Sequence, residues 1–300
     1  MCSGTGSWLP APTIAKVPDL SPALLARAHA YVRGESEVVT ARHAATVVLL
    51  RAGASGPEAY LLHRVSTMAF AAGMVVFPGG RVDRRDSDAA VGWSGPSPAE
   101  WADRLGCDPP LARALVCAAV RETFEESGVL LAGASVDDVV PDTTGVQWEA
   151  DRTALVEREL GFAELLGRRR LVLRSDLMTA WAHWVTPEFE PRRYDTRFFV
   201  AALPEGQRTR DVGGEASQVS WMPVRDAVLG YERGDLAMLP PTVSTLREIS
   251  GYDSVVAALR SRRLITPVMP RPVIDDDGLS LVVDGPTGAV PADAYVRSQT

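Results

Sequence analysis

Apolar positions along the chain follow two rhythms. Residues 45–50 and 59–64 are short runs of aliphatic and β-branched residues separated by the turn-rich stretch AGASGPE, which predicts a pair of strands. Residues 74–77 predict a third short strand that stops at Pro78-Gly79-Gly80, and 177–186, 196–203 and 219–222 read as further strands. Helical spacing is clearest over 111–127, where Leu111, Leu115, Ala118, Ala119 and Phe124 recur and Gly128 stands where a helix stops. A second long helix is predicted over 149–166, with shorter ones over 21–33 (opened by Ser21-Pro22), 223–229 and 243–249. Strands and helices alternate without a regular βαβ beat, so the expectation is an α+β sandwich on a mixed sheet.

The ends and one internal stretch lie outside these rhythms. Residues 1–20 are rich in Gly, Ser and Pro and predict a loose arm; the tail from 264 is punctuated by proline, with a hairpin expected around Asp275-Asp276-Asp277-Gly278. Residues 84–110 mix acids, Gly, Ser and Pro, and Ser97-Pro98-Ala99-Glu100 fits a capping box. The expected division is an arm with a short helix (1–40), a main domain (41–262) and a C-terminal extension with a hairpin (263–300).

Charge and cysteine content narrow the function. Thirty-one basic against 38 acidic residues give a net charge of −7, which disfavours nucleic acid as a partner. Cys2, Cys107 and Cys117 form no CxxC pair, so neither a zinc site nor a disulfide framework is indicated. No basic-then-apolar leader is visible, and the apolar run over 68–77 is too short to span a bilayer. A reduced, cytoplasmic protein is expected, acting on a small molecule and compatible with a homodimer. His183, between Trp181 and Trp184, reads as a sheet residue, and Trp148, Trp181 and Trp184 as core.

The chemistry concentrates in Arg121-Glu122-Thr123-Phe124-Glu125-Glu126-Ser127-Gly128. Glu122, Glu125 and Glu126 share one helix face, within reach of a common point. Three like charges destabilise a bare helix, and a hard divalent cation with oxygen ligands reverses that penalty, so the spacing asks for Mg²⁺ or Mn²⁺. A solvated acidic face is the ordinary alternative for such a run. The full pattern Arg-Glu-x-x-Glu-Glu-x-Gly weighs against it: at average composition it arises at roughly one start in 10⁶.

This stretch resembles the motif of the Nudix hydrolase superfamily. Gly80 matches the motif's first glycine, Asp86 stands where the family has Glu, and Arg121, Glu122, Glu125, Glu126, Gly128 and Val129 match its second half. Thr123 replaces an aliphatic residue, and 34 residues rather than seven separate Asp86 from Arg121. An insertion at this point is a feature of the subfamily that includes the peroxisomal coenzyme A diphosphatase. The run from Arg192 and Arg193 through Phe198 and Phe199, Trp221, and Leu239-Pro240-Pro241 resemble that subfamily too, so the likeness covers about 44–246.

The resemblance implies an α/β/α sandwich and a metal-dependent pyrophosphohydrolase. Glu122, Glu125 and Glu126 would hold Mg²⁺ or Mn²⁺ with the Gly79 carbonyl as a further ligand, and Arg121 would orient a carboxylate. Glu215 is the candidate for an additional loop glutamate in catalysis, and an ordinary loop acid is its alternative. The implied substrate is a nucleoside diphosphate derivative, foremost CoA or an acyl-CoA, cleaved to 3′,5′-ADP and a 4′-phosphopantetheine. ADP-ribose or NADH is the second reading, and a non-hydrolytic binding or sensor module the third. Gly73 and Phe77-Pro78-Gly79-Gly80 match the end of the coenzyme-A signature, while Ala69 stands where that signature has Arg. Arg64, Arg192 and Arg193 are candidates for a phosphate, or else surface and ion-pair residues. The insert, about 87–110, is either a lid or, as the favoured expectation, a surface excursion packing a small core of its own.

Overall fold

The computed structural model describes residues 13–16, 22–64, 73–211, 216–275 and 278–283. In chain order the elements are β1 (Thr13–Lys16), α1 (Pro22–Val32), β2 (Arg42–Gly53), β3 (Gly56–Arg64), β4 (Val75–Val76), β5 (Gly79–Arg81), β6 (Trp93–Ser94), α2 (Pro98–Leu105), α3 (Pro109–Ser127) and β7 (Ala132–Gly133). There follow α4 (Val146–Val156), α5 (Phe162–Arg169), β8 (Val172–Arg174), β9 (Met178–Val185), β10 (Tyr194–Ala202), β11 (Ala216–Pro223), α6 (Val224–Arg233), α7 (Pro240–Ile249), α8 (Val255–Arg260), β12 (Pro267–Val268), β13 (Arg271–Asp275) and β14 (Gly278–Val283).

The central sheet runs β11-β3-β2-β10-β9-β12, with β4 on β3 and β5 on β2. It is mixed, because β10 lies parallel to β2 and β12 parallel to β9, while the β2–β3, β3–β11 and β9–β10 pairs are antiparallel. Successive strand residues face opposite sides, and β2 sorts its apolar residues accordingly. Ala45, Val47 and Leu49 pack with Leu115, Ala119 and Phe124 of α3. Val48 and Leu50 pack on the other face with Tyr231 of α6, Leu246 of α7 and Ala258 of α8. The result is the expected α/β/α sandwich. Among the described residues no helix is long and apolar enough to cross a membrane.

α3 is fixed at both ends. The Asp108 carboxylate accepts from Leu111 N at 2.8 Å, Pro109 and Pro110 occupy the first turn, and Gly128 at φ +73° takes the left-handed position that a side chain would resist. Thr123, the departure from the aliphatic pattern, is buried and donates its hydroxyl to Ala119 O at 2.7 Å, so its polarity is satisfied within the helix.

Three expectations are corrected. The helix expected over 149–166 is two helices: Arg158 adopts φ +63°, and Arg158 N and Glu159 N close back on Leu155 O and Ala154 O. This is the Schellman arrangement without its usual glycine, followed by Leu160 turning into the core. The arm is not wholly loose, since Thr13–Lys16 pairs antiparallel with β14, itself in a hairpin with β13. The turn residues 276–277 lie outside the described residues. The insert does not pack a core of its own: Trp101, fully buried on α2, sits edge-on to Phe199 of the central sheet at 5.7 Å. Trp101, Ala102 and Leu105 belong to the same apolar cluster as α3. The Ser97–Glu100 capping box is present, with Ser97 N donating to Glu100 at 2.7 Å.

Candidate active site

The C-terminal half of α3 carries Arg121, Glu122, Glu125 and Glu126 toward β5, which follows Pro78 and pairs with β2. Gly79 N donates to Glu126 Oε2 at 2.8 Å. A Cβ on Gly80 would lie 2.4 Å from Glu122 Oε1, and one on Gly79 would lie 2.6 Å from Ala45 O. The two glycines are therefore required by close approach, to a catalytic-helix carboxylate in one case and to strand backbone in the other. Gly80→Ala is expected to displace the mobile end of Glu122 rather than the backbone. The variant should fold, with a melting temperature near that of the parent, and lose most of its hydrolytic activity; full activity would show that Glu122 need not stand there.

Arg121 is the hub. Its Nε and Nη2 donate to the two Asp86 oxygens at 2.9 Å each, Nη2 also to Arg81 O at 3.0 Å, and Nη1 to Glu122 Oε1 at 2.7 Å and Glu125 Oε1 at 3.1 Å. Only a planar fork can serve three carboxylates this way. Asp86 is 1% exposed, and Asp83 N donates to its Oδ2 at 2.7 Å in a short turn over Arg84–Ser87. That turn lifts the shorter Asp side chain to Arg121, across the 34 intervening residues.

The electrostatics follow from burial. Burial pushes the Glu122 carboxyl up to about 7, against the pull of Arg121, and raises Glu125 in the same way. Burial alone would lower the Arg121 pKa, yet it is raised, because Asp86, Glu122 and Glu125 hold the guanidinium charged. As placed, the glutamates do not meet at one point: Glu122 and Glu125 turn to Arg121, and Glu126 to Gly79 N. Among the described residues no three acidic, His or Cys side chains are gathered as an ion would need them. The donor chemistry still fits a hard divalent cation, since all three groups are oxygen donors and two are carboxyls whose anionic form is disfavoured without more positive charge.

These residues line a cavity of about 2200 Å³ running between α3, β2 and the β9–β10 connection. Arg64 and Arg192 line it as well. Arg193 does not: it is buried and donates to Thr186 O, Pro187 O and Val39 O at 2.8–3.1 Å, so its fork braces backbone and is not available to a phosphate. Glu215 lies outside the described residues. Sequence reasoning missed Arg152, a buried α4 residue whose Nη1 donates to Glu125 O at 2.8 Å, and Glu190 on the cavity wall. Neither has a local sequence signal; both are ordinary charged residues until the chain is folded. His183 is a buried sheet residue whose Nε2 lies 2.6 Å from Asp195 Oδ1 and from Arg197 Nη1. Trp181 and Trp184 are buried in the core, and Trp148 packs against it.

Known proteins are similar to this chain in sequence and in fold. A sequence model of the NUDT19 Nudix domain matches residues 96–249, which takes in all of α3. A Caenorhabditis elegans protein that carries the name of a nudix hydrolase is 27% identical over 234 residues, 77% of this chain and 68% of its own length. The acyl-coenzyme A diphosphatase NUDT19 of Xenopus laevis is 26% identical over 237 residues, 65% of this chain; the match spans 60% of the frog protein's length. Among solved structures, a NUDIX hydrolase from Alicyclobacillus acidocaldarius superposes with a TM-score of 0.62 at 26% identity, covering 76% of this chain and 99% of that one.

Proposed function

The chain belongs to the NUDT19 Nudix domain family, a group of diphosphate hydrolases, and on that premise we propose that it cleaves CoA or an acyl-CoA to 3′,5′-ADP and a 4′-phosphopantetheine. The observation that carries the reading is the junction of α3 with the Gly79–Gly80 turn, where three glutamates and one arginine face a cavity of about 2200 Å³. Sites for ordinary small ligands are roughly 300–1000 Å³, so the space has room for a long substrate. The frog relative's name points to the same substrate class.

Glu122, Glu125 and Glu126, with the Gly79 carbonyl, would hold Mg²⁺ or Mn²⁺. When bound, the cation neutralises the diphosphate and makes a bound water more acidic. Arg121 acts behind the carboxylates: its contacts to Asp86, Glu122 and Glu125 set their orientation. Arg64 and Arg192 offer positive charge to phosphate groups from the cavity wall. Glu215 is the candidate for a further acid–base group.

A panel of CoA, acetyl-CoA, ADP-ribose and NADH, with each of Mg²⁺ and Mn²⁺ and products identified by mass spectrometry, tests this. The expected result is metal-dependent release of 3′,5′-ADP, with kcat/KM higher on the CoA compounds. A higher kcat/KM on ADP-ribose or NADH would move the assignment to those substrates, and no turnover with any of them would refute it.

A further inference from the structure

We propose that the Glu190 carboxyl, on the cavity wall with Trp184 and Tyr194, reads the amino-and-ring-nitrogen edge of an adenine-type base. This deepens the reading of an adenine-bearing diphosphate substrate and rests on it. Glu190 lies in the connection between β9 and β10, whose residues Thr186, Pro187, Arg192 and Tyr194 also line the cavity. The connection is held rigidly. Phe189 is buried against α1, Arg27 Nε donates to Phe189 O at 3.0 Å, Arg193 donates to Thr186 O and Pro187 O, and Glu190 N donates to Pro187 O at 3.2 Å. The carboxyl is thus presented in a fixed place, and none of the described residues hydrogen-bonds to its side chain.

Half-buried on the cavity wall, the carboxyl keeps its oxygens within reach of a ligand. Burial pushes it up to about 7, opposed by Arg27, so near neutrality a protonated form is present that sets an O–H beside a C=O. That pair matches an edge with one acceptor next to one donor, as the N1 and N6 amino group of adenine provide. A phosphate would be repelled by the ionised form. The trans amides of a pantetheine arm turn their N–H and C=O in opposite directions and cannot close the pair.

The test is calorimetric binding of AMP and of purine riboside 5′-monophosphate, which lacks the 6-amino group, to the full chain and to Glu190→Ala and Glu190→Gln. The one neutral hydrogen bond that the missing 6-amino group would make predicts an AMP preference of roughly fivefold in the parent protein. Glu190→Ala should abolish that preference. Glu190→Gln should keep it, since a carboxamide also sets a donor beside an acceptor. A parent protein that binds both nucleotides equally overturns the proposal without any variant, as does a Glu190→Ala that keeps the preference. Hydrolysis does not enter the readout. CoA turnover without an AMP preference would refute the role of Glu190 alone, and an AMP preference without CoA turnover would refute the substrate assignment alone.

Discussion

Trp101→Ala is expected to destabilise the protein by about 3–5 kcal/mol, the usual cost of emptying a large aromatic site in a core. The indole is fully buried, packs edge-on to Phe199, and carries the guanidinium of Arg104 over its ring at 5.0 Å. Because α2 packs along α3, the cavity opens directly under the helix that bears the glutamates. Trp101→Phe should be milder, for two reasons: it leaves less empty volume, and it removes an indole N–H that is buried without a partner. Urea unfolding of the three proteins measures this. By the same argument, replacing residues 87–108 with a short linker should fail to leave the fold intact. An unfolding midpoint for Trp101→Ala equal to the parent's would show that the insert is peripheral after all.

Glu125→Gln is expected to lower kcat by at least about 10²-fold at saturating Mg²⁺, the scale of losing a catalytic group. The substitution keeps size and shape but removes an anionic oxygen. Folding should survive, because burial already disfavours the Glu125 anion and the carboxamide oxygen can still accept from Arg121 Nη1. The contact from Arg152 goes to the Glu125 backbone oxygen and is untouched. Steady-state kinetics with a melting curve separates the two effects. Turnover near that of the parent would remove Glu125 from the site.

What the sequence disclosed was local. The register of α3 could be read because its apolar face repeats at helical spacing up to a Gly stop. The link from Asp86 to Arg121 could be suspected only from the motif, since no local pattern predicts contact across an insertion. The rest depended on tertiary packing. Arg158 ends α4 in a conformation usually left to glycine, so no glycine stands at that stop, and Gly161 marks only the start of α5. β6, β7 and β8 are strands of two or three residues, too short for alternation to register. Thr13–Lys16 finds its partner beyond residue 279, a pairing that no window of sequence contains. Arg192 and Arg193 are adjacent and chemically equal, yet one lines the cavity and the other is buried bracing backbone. Both precede β10, so the path of the β9–β10 connection, rather than residue type, decides between them.

The central claim is that the α3 glutamates bind the catalytic cation. Manganese titration followed by electron paramagnetic resonance tests it directly, since the signal of free Mn²⁺ falls as the ion is bound. The parent protein should deplete the free signal, and a Glu122→Gln/Glu125→Gln double variant with an unchanged melting curve should leave it close to that of buffer. A folded double variant that takes up as much Mn²⁺ as the parent would contradict the account.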